Sequence, residues 1–162
     1  EAYTMNYTSL LDEVMRKNNH PKEPVYIHGK TSEMYDIRTG RLNRDEGGIP
    51  FLMPQTSTKP IASVETLRRF SSLLHSLDQS HSLVTVGYGF NRDDDHVTHI
   101  IADAMERNKE LKVNILNLDS LENNPGVRRL NEVDEVRVNL VVLPNDEQQA
   151  RDVFEDYMNE GS

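Results

Sequence analysis

Apolar residues along this chain fall into two patterns. Near-continuous runs at 83–88 (Leu83-Val84-Thr85-Val86-Gly87-Tyr88), 113–117 (Val113-Asn114-Ile115-Leu116-Asn117) and 136–143 (Val136 to Leu143, closed by Pro144) predict strands. Their weak alternation suits central strands covered on both faces. Residues 2–7 predict a shorter strand ending in Asn6, and Val25-Tyr26-Ile27-His28 another strand end, with Gly29 just after it. Between these runs, apolar residues recur at three- and four-residue steps. Leu10, Leu11, Val14 and Met15 mark one helix, with Ser9 and Asp12 at capping-box spacing. Val64, Leu67, Phe70, Leu73, Leu74 and Leu77 mark a second, with Ser63 as N-cap. Val97, Ile100, Ile101, Ala104 and Met105 mark a third behind Asp93-Asp94-Asp95, and Ala150, Val153, Phe154, Tyr157 and Met158 a last one started by Asn145 or Asp146.

Strand and helix alternate, which predicts an α/β domain with a mainly parallel sheet. Residues 28–61 break the rhythm with Gly29, Gly40, Gly47, Gly48, Pro50, Pro54 and Pro60 among mixed charges. They predict a short irregular insertion, with short strands, at the end of the sheet, where insertions commonly cover a ligand crevice. Residues 1–162 otherwise read as one domain.

Composition narrows the chemistry. With 18 Lys+Arg against 27 Asp+Glu the formal charge is -9, which disfavours a phosphate backbone as partner, so no nucleic acid is expected. The absence of cysteine removes disulfides, thiolate zinc sites, iron–sulfur clusters and a cysteine nucleophile. No apolar run reaches the roughly 18–20 residues of a membrane span, and no secretory signal is visible. A soluble, cytoplasmic protein without a membrane partner is the expectation. The opening at Glu1, running straight into a strand-like segment, predicts a piece of a longer chain.

Ligands of parallel α/β sheets sit where strands end and helices begin. Gly87-x-Gly89 is turn geometry that also lets a phosphate or ribose approach the backbone, without the third glycine of a dinucleotide fingerprint. Asn6 on its own reads as a turn former. His28 reads either as a structural residue or as a general base active near neutral pH. Asp93, Asp94, Asp95, His96 and His99 have the residue types of a divalent-metal set, but aspartates there more simply serve a helix start, so no metal is expected. Arg68-Arg69 and Arg128-Arg129 read as solvated faces with scope for phosphate contacts.

Several of these segments, in this order, resemble the sirtuin superfamily, specifically its NAD-hydrolase branch in bacterial antiphage-defence proteins. Thr4-Met5-Asn6-Tyr7 before Leu10-Leu11 is similar to that family's Thr-x-Asn-(Tyr or Ile)-Asp-x-Leu stretch. Ile27-His28-Gly29 resembles its His-Gly motif. Val86-Gly87-Tyr88-Gly89-Phe90 followed by Asp94-Asp95-His96-Val97 resembles its Val-Ile-Gly-Tyr-Ser-Phe-x-Asp-x-His-Ile segment, and 113–117 its later strand ending in a nucleotide-facing Asn. The likeness spans about 4–118. It implies a Rossmann-like, mainly parallel sheet with helices on both faces. Asn6 would hold water or ribose at the nicotinamide end, and His28 would act as base on a ribose hydroxyl. Gly87, Tyr88, Gly89 and Phe90 would line the ribose and phosphate side of NAD, Asn117 would meet the adenosine ribose, and Thr4 and Thr8 would join the cofactor-binding residues.

Three departures qualify what the likeness implies. The family's amino-terminal glycine-rich half, with its Gly-Ala-Gly-x-Ser turn, would lie upstream of Asn6 and is missing here. Thr8 stands where the family has an Asp that helps bind nicotinamide. Without cysteines the zinc ribbon of sirtuin deacylases cannot form, so no zinc is expected. The expected function is NAD+ hydrolysis to nicotinamide and ADP-ribose in the intact parent, with Asn6, His28 and Gly87 converging on one crevice. The alternatives are a non-catalytic nucleotide-sensing or assembly module, and a generic α/β interaction domain. Half a crevice would also favour a homo-oligomer or a partner domain.

Overall fold

In the computed structural model, which describes residues 1–36, 41–43, 49–52 and 64–160, the first apolar residues of the chain form β1 (Tyr3–Thr4). Helix α1 (Leu10–Lys17) follows, and β2 (Val25–Tyr26) pairs parallel with β1, Tyr3 opposite Val25 and Thr4 opposite Tyr26. β1 ends at Thr4 rather than at Asn6, where the Thr4 hydroxyl accepts the Asn6 N–H at 3.1 Å and the backbone leaves the ladder. Helix α1 forms where the spacing places it. None of its residues is buried, and Leu10 and Val14 are 66% and 47% exposed. Ser9 makes no side-chain cap bond, and Asp12 pairs with Lys30 instead of closing a capping box.

The stretch expected to be irregular contains β3 (Gly29–Asp36), β4 (Arg41–Asn43) and β5 (Ile49–Leu52), an antiparallel sheet in the order β4-β3-β5. Pro50 falls in β5, which among the described residues is an edge strand, where a residue without an N–H is tolerated. Helix α2 (Val64–Asp78) buries Thr66, Arg69, Leu73 and Leu77, at helical steps, and exposes Val64 and Leu67. The Ser63 cap lies outside the described residues. Residues Glu1–Ser76 make one compact unit and Leu77–Ser162 a second.

The second unit is built from β6 (Ser82–Val86), α3 (Asp95–Arg107), β7 (Lys112–Asn117), α4 (Pro125–Asp134), β8 (Val138–Val142) and α5 (Glu147–Glu160). β6, β7 and β8 form a parallel ladder in chain order, with Leu83, Val113 and Val138 in one row. α3 packs on α4, the arrangement that results when two successive crossovers in one parallel ladder follow the usual right-handed rule and leave both linking helices on one face. Central β7 is the core: Val113, Ile115 and Leu116 are fully buried, each contributing roughly 1.5–3 kcal/mol. Buried Asn114 donates to the Ser82 hydroxyl at 2.9 Å. From α3 come Val97, Ile101, Ala104 and Met105, and from α4 Val127 and Leu130.

The run from Val136 starts its strand late. A 3-10 turn over Glu135–Arg137, capped by the Asp134 carboxylate, leaves Val136 95% exposed and delays β8 to Val138. The last helix begins as expected, the Asp146 carboxylate accepting the Gln149 N–H at 3.0 Å. The class is therefore α/β, and among the described residues its strands belong to three ladders rather than one mainly parallel sheet. No helix among the described residues is long and apolar enough to cross a membrane.

Candidate functional site

In the first unit the register of β1 and β2 decides the geometry. Asn6 and His28 each lie two residues past the paired residues Thr4 and Tyr26, so both leave the same carboxyl end. Backbone bonds clip the two segments together: Ile27 N–H to Thr4 O at 3.0 Å, and Thr31 N–H to Tyr7 O at 2.9 Å. Asn6 is exposed, whereas His28 is 3% exposed, with the Tyr7 ring 6.3 Å from its own at 32°. The Thr4 hydroxyl is occupied by the Asn6 N–H, and exposed Thr8 lends its carbonyl to the Tyr26 hydroxyl at 3.0 Å.

Behind this end lies a cleft of about 460 Å³ whose lining includes Asp12, Tyr26, Lys30, Glu33, Glu65 and Arg69. Lys30 pairs with Asp12 and sits 4.9 Å from the centre of the Tyr26 ring. Burial, reinforced by the Asp12 carboxylate, pushes the Tyr26 phenol up to about 12. Arg69, expected on a solvated face, is 7% exposed. It donates to the Tyr26 carbonyl and to both Glu33 carboxylate oxygens, at 2.8 and 2.9 Å. The signal for its burial was its place on the Thr66–Leu73–Leu77 face of α2, which Arg68 does not share.

In the second unit, Gly87, Tyr88, Gly89, Phe90 and Asn117 gather at the carboxyl edge of the parallel ladder. β6 stops because Gly87 has φ +65°, a left-handed conformation that costs glycine little, and a Cβ built there meets nothing within 4 Å. Phe90 also has a positive φ, 48°, which a bulky L-residue adopts only under constraint. The constraint is visible. Phe90 is 2% exposed, with its ring 4.6 Å from that of Tyr88. The Asn117 amide donates to Tyr88 O at 3.1 Å, and the Asn124 amide to Gly89 O at 2.9 Å. Asn124 is also the N-cap of α4, accepting from Gly126 and Val127 N–H. Gly126 is required there, because a Cβ would lie 2.9 Å from the Phe90 Cβ. Burial, then the nearby Asp94 charge, raises the Tyr88 phenol well above its ordinary range.

Asn117 thus spends its amide on shaping the loop, and Asn124, which sequence reasoning missed, does the same. The start of α3 departs from expectation: Asp94 makes no side-chain cap bond, so Asp93, Asp94 and Asp95 act there through charge on the helix dipole. Three carboxylates at that terminus disfavour a phosphate on it. His99 is exposed on α3, away from buried Val97 and Ile101. No protein-family model matches the chain, and no curated protein matches it.

Proposed function

We propose that this chain is a sirtuin-like, Rossmann-like NAD-binding domain that takes NAD or ADP-ribose at the loop after β6. In the intact protein, of bacterial defence type, its reaction is hydrolysis of NAD+ to nicotinamide and ADP-ribose. The observation that carries the binding reading is the loop: two positive-φ residues, Gly87 and Phe90, held at the carboxyl edge of a parallel ladder by two asparagine amides. Constrained backbone of this kind concentrates at ligand sites, and the space beside Gly87 leaves its backbone approachable. The aspartates that open α3 favour a ribose over a phosphate as the group nearest that helix.

Cleavage needs a base on the ribose and a polar site at the nicotinamide end, the roles the resemblance lends to His28 and Asn6. Their common exit from β1 and β2 supports that pairing. A second reading, binding without turnover, is favoured by the 3% exposure of His28 and by Thr8, whose hydroxyl carries no charge. Calorimetry with NAD and ADP-ribose tests binding, and nicotinamide release by the intact protein separates the two readings. Release abolished by His28→Ala supports cleavage. Binding without release supports sensing, and binding of neither nucleotide removes both.

A further inference from the structure

We infer that Arg69 is a positioning residue for His28, an inference that rests on the reading of His28 as the base. Arg69 projects from α2 into the end of β1–β2 that carries the candidate groups. One guanidinium nitrogen donates to the carbonyl of Tyr26, the last residue of β2. Another donates to both carboxylate oxygens of Glu33, in β3, and the third to Glu65 at 3.3 Å. Between Tyr26 and Glu33 lie Ile27 and His28, a turn leading into Gly29 at φ 91°. A single planar group therefore grips the backbone entering the histidine turn and the strand leaving it.

The same helix holds the other half. Ser72 and Ser76, three and seven residues beyond Arg69, lie 3.1 and 2.8 Å from the Tyr3 hydroxyl in β1. α2 thus ties down both strands whose ends carry Asn6 and His28. The contacts need a guanidinium in particular. Its rigid fork meets a carbonyl and two carboxylate oxygens together, whereas a lysine ammonium is a point charge. Without the fork the turn that carries His28 loses one of the contacts that hold it, alongside the Ile27 and Thr31 backbone bonds, and a shift of order 1 Å in a reacting group costs about 10²-fold in rate.

The test compares wild type, Arg69→Lys and His28→Ala in the intact protein, reading nicotinamide release and the histidine Cε1–H resonances, with His28 assigned by its loss in His28→Ala. The expected result for folded Arg69→Lys is a fall in kcat of about 10–100-fold with KM changed less than about threefold, together with a shifted or broadened His28 resonance. An unmoved His28 resonance, or an unchanged kcat, in folded Arg69→Lys overturns the inference. If wild type releases no nicotinamide, the cleavage reading falls and the resonance alone decides the role of Arg69. Should Arg69→Lys fail to fold, Glu33→Gln keeps the side-chain shape while weakening the grip, and the same readouts apply.

Discussion

Arg137 offers a direct measure of how much one guanidinium holds in the second unit. Its side chain is 10% exposed. It donates to Met105 O at 3.0 Å, Asn108 O at 3.0 Å and Leu111 O at 3.2 Å, and to the Asp134 carboxylate at 2.7 Å. Met105 lies in the last turn of α3, Asn108 is its C-cap, and Leu111 precedes β7. Carbonyls at a helix end lack intrahelical donors, and a cation there also complements the dipole. Charged hydrogen bonds contribute about 1.5–3 kcal/mol each, so simple addition gives roughly 6–12 kcal/mol, comparable to a whole domain's stability. That sum overcounts, because the bonds share one group and water hydrates the carbonyls once the side chain is gone. Arg137→Ala should therefore cost about 2–4 kcal/mol, and Arg137→Lys about half of that. Urea unfolding followed by circular dichroism reads this as a shifted midpoint at constant slope. A loss under about 0.5 kcal/mol for the alanine variant, the scale of an exposed ion pair, would refute the reasoning. So would full recovery with lysine. Arg137 also holds the Asp134 carboxyl below its ordinary 3.8. A carboxyl lowered on folding stabilises above its unfolded value and loses that contribution as pH falls through the folded one. The acid limb of the stability curve should accordingly be flatter in Arg137→Ala.

Two glycines should respond differently to Ala. Gly87→Ala meets no atom and should cost only the left-handed backbone penalty of about 1–2 kcal/mol, while Gly126→Ala drives a Cβ onto Phe90 and should cost more and disturb the loop; equal losses in thermal melts would contradict this account. Asn124→Ala removes a helix cap and the Gly89 tether together, and should destabilise by about 1–2 kcal/mol. Asn117→Ala should weaken NAD binding in calorimetry with a smaller effect on stability, and unchanged affinity would count against the loop as the nucleotide site. Because the Tyr26 phenol sits at about 12 against 10.0 unfolded, folding stability should fall as pH rises from 10 towards 12, and ultraviolet titration should lose one late-ionising component in Tyr26→Phe.

The elements readable in advance were those whose local and tertiary preferences agree. Near-continuous apolar runs became β6 and β7, but only β7 has the burial on both faces expected of a central strand, since β6 has no buried residue and leaves Val86 exposed; the 3.6-residue period of α3 matched its buried face. Misreadings arose where side-chain hydrogen bonds overrode the pattern. Val136 looked like strand, but the Asp134 cap and the Arg137 network bend that segment into a 3-10 turn. In α1 the spacing marked one face of the helix, and that face is only half-buried at Leu11 and Met15, because amphipathicity says which side would pack and not how completely.

The candidate site was legible in its glycines and its strand ends, not in what holds them. Gly87, Asn6 and His28 stand out as candidates because glycine turns and strand termini leave a mark in residue type. Asn117 was found for a different role from the one its amide performs. Arg69 and Asn124 carry no such mark: an arginine beside another arginine reads as surface, and an asparagine before a proline reads as a helix start. What distinguishes them is donors directed at carbonyls distant in sequence, 43 residues away for Arg69 and 35 for Asn124. A helix face can be read off spacing, and Arg69 shares one with Thr66, Leu73 and Leu77. A buried arginine on a packed helix face must find acceptors, so the useful question for such a sequence is which strand-end carbonyl that arginine reaches, and here the answer is that of Tyr26, two residues before the candidate histidine.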